Sequence, residues 1–132
     1  MIWLLLLLTL TGGIPAMPQL HLSPIVRGDI TCPAHEGEIQ VLHLTVSQVA
    51  EFPEQRCLEI AWEGRLIALL WTPATGHSQA WLDLDGDGKP DEHFASQAVL
   101  EANYPQPCDM LARVLTIPQV APRVPAGKGQ RL

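Results

Sequence analysis

The chain is short of charge and of cysteine, and each shortage excludes something. Asp, Glu, Lys and Arg make up 17% of the 132 residues, below the ~25% usual for soluble domains. Only eight charged residues are basic against 14 acids, for a net charge of −6. The basic surface that a nucleic-acid binder needs for phosphate neutralisation is therefore missing, and no nucleic-acid partner is expected. No apolar run reaches the ~20 residues of a membrane span. Three cysteines are too few for a disulfide scaffold and are odd in number. Also missing are a Ser-His-Asp order, a nucleophile elbow, a glycine-rich phosphate loop and an HExxH pair, so no enzyme is expected. What the chain does have is 47% hydrophobic residues, dense enough in the centre to exclude disorder there and to fill one domain.

The N-terminus has no charged side chain in residues 1–16. Ile2 to Leu10 is a short apolar run, and small residues follow it from Thr11 to Ala16. This reads as a signal peptide, with cleavage after Gly13 or after Ala16. No Lys or Arg precedes the apolar core, so the amino group carries the only positive charge there, or the start lies upstream of Met1. No Cys ends the run, and no stable membrane anchor is expected after processing. The mature protein is expected to be secreted or periplasmic. That compartment allows one disulfide among Cys32, Cys57 and Cys108, with one thiol left over. Three pairings are open. Cys57–Cys108 is favoured because both residues follow Pro-containing turns and begin apolar segments.

Residues 17–31, with Pro18 and Pro24, read as an extended lead-in, and Ile39–Val46 reads as a strand. Ser47–Phe52 reads as one helical turn closed by Pro53. Cys57–Trp62 and Arg65–Trp71 flank Glu63-Gly64 as a β-hairpin, whose second strand is apolar on both faces and hence central. Ala80–Leu82 reads as a short strand. Asp91–Asn103 reads as a helix, with Pro90 and two acids at its start. Cys108–Leu115 is either a second helix or a closing strand. From Pro118, three prolines and two glycines mark a basic, disordered tail. The expected architecture is a small α+β domain, with an antiparallel sheet, one or two short helices and a single calcium loop. Its divisions are 1–16 signal peptide, 17–117 domain and 118–132 tail.

The acidity is concentrated. Asp83, Asp85, Asp87, Asp91 and Glu92, opposed only by Lys89, supply −4 of the net −6. In Asp83-Leu84-Asp85-Gly86-Asp87-Gly88-Lys89-Pro90-Asp91 the acids fall at relative positions 1, 3, 5 and 9, with Gly88 at 6. Calcium takes 6–8 hard oxygens, and a short chain supplies them by winding around the ion. Asp83, Asp85 and Asp87 would point inward, Gly88 would permit the bend, the Lys89 carbonyl would serve at 7, and Asp91 at 9 directly or through water. The segment resembles the EF-hand-like calcium loops of exported bacterial proteins. It is similar to dockerin loops and integrin-type propeller repeats, which share the DxDxDG start. It departs from a full EF-hand at position 12, which is Phe94 rather than a bidentate Glu, with Glu92 the nearest substitute. It departs again at position 8, where Pro90 lacks the N–H for loop pairing. The resemblance covers about ten residues and implies a bound ion but no activity.

The function expected is thus a small exported calcium-binding domain, in which the ion serves structure or partner binding. The alternative is a periplasmic metal-handling protein, taking a lanthanide through the same oxygens, or copper or zinc through Cys32, His35 and other histidines. A protein partner reached through the spare cysteine or the basic tail is a third possibility. Arg27-Gly28-Asp29, a tripeptide that adhesion receptors can read, is expected to be a turn.

Overall fold

In the computed structural model, residues 14–73 and 78–120 are described. Six strands form one sheet in chain order, every neighbouring pair antiparallel. They are β1 (Leu22–Pro33), β2 (Ile39–Val49), β3 (Phe52–Trp62), β4 (Arg65–Thr72), β5 (Gln79–Leu82) and β6 (Glu92–Phe94). Two helices follow, α1 (Gln97–Asn103) and α2 (Pro107–Leu115). The small α+β architecture is the expected one.

Alternation along the strands sends side chains to two different cores. On one face Leu42, Ile60, Ala68, Ala80 and Leu82 pack against Leu100 of α1 and Met110, Leu111 and Val114 of α2. On the other, Val49, Cys57, Leu69 and Trp81 are covered by Met17 and Leu20 of the segment before β1. The Trp81 indole N–H is held by the Pro15 carbonyl at 3.2 Å. β4 contributes to both cores, as its apolar sequence predicts. At Glu63-Gly64 both residues have positive φ, 50° and 81°, the conformation of the expected tight hairpin.

Three segments differ from expectation, and a fourth, left open between helix and strand, is settled. Ser47–Phe52 is no helical turn. β2 runs through Ser47 and Val49, both fully buried, and that two-residue period is a strand's; Ala50-Glu51 then turn the chain. Most of the expected lead-in, and the Arg27-Gly28-Asp29 tripeptide with it, is strand β1, because eleven residues pair with β2. Its Pro24 is tolerated beside an irregularity in an edge strand. The helix expected over Asp91–Asn103 is halved. Glu92–Phe94 pair with β5, and the helix starts only after Ser96, whose hydroxyl accepts the Val99 N–H at 3.2 Å. Cys108 lies in α2, settling that segment as helix.

The disulfide is Cys32–Cys108, with Cα atoms 5.5 Å apart, and Cys57 is the free cysteine. Strand alternation explains why Cys57–Cys108 does not form: Cys57 points into the core opposite the helices, while Cys32 shares a face with α2. The bridge spans 76 residues and so contributes about 4.5 kcal/mol in the chain-entropy treatment. Among the described residues, no helix is long and apolar enough to cross a membrane. The expected signal-peptide core lies outside the described residues, as do residues 121–132 of the expected tail.

Candidate metal centre

The acidic segment is the nine-residue connection from β5 to β6. Its entry is fixed by β4, where the register shift between Ile60 and Ala61 leaves Ile67 as the extra residue of a bulge. The Ile67 carbonyl accepts the Asp83 N–H at 2.9 Å. At the exit, the Asp91 N–H donates to the Leu82 carbonyl at 2.7 Å. Leu84, alone among acids, turns inward and is buried in the core under the helices. The loop is therefore anchored at both ends and at one internal side chain.

Within it, carboxylates organise backbone. Asp83, 5% exposed, accepts the Gly86 N–H on Oδ1 and the Gly88 N–H on Oδ2, both at 3.0 Å. Asp91 Oδ2 accepts the N–H groups of Leu84 and Asp85 at 2.7 and 3.2 Å. Asp85 Oδ1 takes the Asp87 N–H, and Asp87 Oδ1 takes that of Lys89. Gly88 has φ +86°, the bend expected there, and Gly86 has φ +82°. These bonds fold the chain so that one oxygen from each of Asp83, Asp85, Asp87 and Asp91 lies within 4.8 Å of the others. Two oxygens on opposite sides of a calcium ion, each 2.3–2.6 Å from it, are separated by about 4.6–5.2 Å. The four donors are hard, charged and spaced for one such sphere, so the cluster could hold a metal ion.

The charge balance points the same way. Desolvation pushes Asp85 above its ordinary carboxylate value, and the charges of Asp91 and Asp87 add to this, against the lowering effect of the Asp87 N–H. A fourth negative charge is thus held at a cost that a cation would offset.

Two supports were not foreseen in the sequence. Arg65, at the start of β4, donates from Nη1 to the Asp83 carbonyl at 3.0 Å and from Nη2 to the Leu84 carbonyl at 3.3 Å. Its Nη1 also lies 3.9 Å from Asp83 Oδ2, and its guanidinium stands 5.9 Å from the centre of the Trp62 ring. Gln119 accepts from Arg65 and donates to the carbonyls of Leu84, Val114 and Ile117. The Val120 N–H donates to the Asp85 carbonyl at 2.7 Å. Residues 119 and 120 thus brace the loop.

Glu92, the expected substitute at position 12, is not in the cluster. It sits on β6 and accepts the Tyr104 hydroxyl at 2.6 Å. It lines, with Asp85, Asp91 and Arg113, a cavity of about 210 Å³ beside the loop, room for water to complete a coordination shell. Neither cysteine near the helices offers a free thiolate to copper or zinc. Cys32 is oxidised, and burial, with Glu59 adding, pushes the Cys57 thiol up to about 11. Among the described residues, the four aspartates are the group of acids, histidines or cysteines placed to share an ion.

Compared with known protein families, characterised proteins and solved structures, the chain matches none.

Proposed function

We propose that this is a small exported domain that binds calcium in the β5–β6 loop, the ion serving to lock that loop in place. The observation that carries the reading is the convergence of four carboxylate oxygens within 4.8 Å on a backbone shaped by those same carboxylates. Asp83, Asp85, Asp87 and Asp91 would hold the ion, with the Lys89 carbonyl as a fifth donor and water from the adjoining cavity supplying the rest. Bound there, the ion would supply two positive charges to a cluster whose nearby cations are Arg65, 3.9 Å from Asp83 Oδ2, Lys89 within the loop and Arg113 across the adjoining cavity. Export fits an oxidised Cys32–Cys108 pair. Because no bidentate Glu closes the shell, affinity should be weak, about 10⁻⁴–10⁻³ M as in extracellular modules.

Terbium takes the same oxygen ligands and luminesces when a nearby tryptophan is excited. Trp81, two residues before Asp83, and Trp62, linked to Asp83 through Arg65, are the donors. Asp87→Asn keeps the acceptor for the Lys89 N–H while removing one charge, and should weaken terbium binding at least tenfold; Asp87→Ala should abolish it. Excess calcium should displace terbium. Undiminished luminescence in Asp87→Ala would show the loop to be a solvated turn.

A further inference from the structure

The two edges of the sheet are unequal. β6 exposes an edge of three residues, soon followed by α1, whereas β1 exposes one of twelve. Among the described residues no strand lies beyond β1. Its side chains from Ser23 to Asp29 are all exposed, including Ile25 and Val26 at 51% and 58%. A long edge with unpaired N–H and C=O groups is a template for another strand.

We propose that the partner is β1 of a second copy, paired antiparallel about a two-fold axis through Gly28. Charge selects this register. Arg27 and Asp29 are two residues apart and so lie on one face of the strand. With Gly28 on the axis, Arg27 stands opposite Asp29 of the second copy, and the symmetry repeats the pair. On the other face Val26 meets Ile30 of the second copy. Sliding the strands two residues one way sets Arg27 against itself; sliding them the other way sets Asp29 against itself. A one-residue slip sends each strand's apolar set to the wrong face. His43 Nδ1 holds Asp29 Oδ1 at 2.7 Å, which steadies the carboxylate and leaves Oδ2 for the guanidinium.

Main-chain hydrogen bonds join the copies and the charge pairs fix their alignment. One strand edge buries less than the ~1,600 Å² of a standard interface, so the dimer forms in the micromolar range and weakens with salt. The contact is remote from the acidic loop at the opposite side of the sheet, and calcium does not affect it.

Sedimentation velocity from micromolar to millimolar concentration tests this. The wild-type chain should pass from monomer to dimer. Arg27→Asp and Asp29→Arg should each weaken dimerisation about thirtyfold, since each puts like charges opposite at two symmetric places. Both positions are exposed, so melting temperatures should hold. Mixing the two single variants should restore a dimer, because every facing pair is again opposite in sign; the double exchange Arg27→Asp/Asp29→Arg should restore it too. A chain that stays monomeric, a dimer indifferent to both reversals, or a mixture that fails to recover would each overturn the proposal.

Discussion

Two connections in this sheet reverse the chain by different means. Glu63-Gly64 returns it between β3 and β4 in two residues, through positive φ alone. The β5–β6 loop takes nine, and its shape is held by carboxylates that accept six backbone N–H groups. Arg65 joins the two, lying one residue after the short turn and donating to the carbonyls that open the long one. The short turn is a backbone device and the long one a side-chain device. Only the second gathers charge, and only the second has anything to offer an ion.

Removing the side chain that does most should separate them furthest. Asp83→Ala strands the Gly86 and Gly88 N–H groups and leaves Arg65 without its nearby carboxylate. In so buried a place that should cost about 3 kcal/mol, read by urea denaturation without calcium, and end terbium binding. A loss below ~1 kcal/mol would mean that water replaces the carboxylate and that the loop's shape does not depend on it.

Glycine substitutions come next and divide the loop from within. Gly86→Ala forces a side chain into left-handed backbone and brings its Cβ to 3.2 Å from Arg65 Nε and Gln119 Oε1. Gly88 and Gly64 have the same backbone conformation with open space around them. Alanine should therefore cost about 1 kcal/mol at Gly88 and Gly64, and about 2 at Gly86, in matched thermal melts. Equal losses at all three would show that the Arg65–Gln119 brace moves aside freely.

How much of this was legible in sequence follows the same division. The short turn was plain, because Gly64 sits between two apolar runs and local backbone preference decides it. The acids of the loop were plain for a similar reason: their spacing is local. What could not be read is what comes from far along the chain. Nothing local announces that Arg65 reaches Asp83, or that Gln119, in a proline-rich stretch, caps carbonyls of the loop and of α2. The helix over Asp91–Asn103 failed because Pro90-Asp91-Glu92 is a sound local start signal, overridden when β5 offered an edge for Glu92–Phe94 to pair with. The disulfide failed because turns say where a cysteine lies along the chain but not which face of the sheet it occupies.

Calcium itself should act on one connection only. At ten times its dissociation constant the ion would add ~1.4 kcal/mol, so the melting temperature should rise by a few degrees and chelator should return it. In Asp87→Ala that rise should vanish. In Gly64→Ala it should persist in full, from a lower starting point. A calcium-induced rise that disappears in Gly64→Ala as well would mean that the two connections are one cooperative unit coupled through Arg65.

The smallest effect should come from improving the short turn. Glu63 occupies left-handed backbone at φ 50°, which costs most side chains about 1 kcal/mol and asparagine less. Asn-Gly is the preferred pair for this two-residue hairpin. Glu63→Asn should thus stabilise the domain by about 0.5 kcal/mol, with terbium affinity unchanged, because the turn's geometry is retained and Arg65 keeps its place. If affinity falls while stability rises, Glu63 helps to orient Arg65, and the acidic loop depends on the identity of the short turn as well as on its shape.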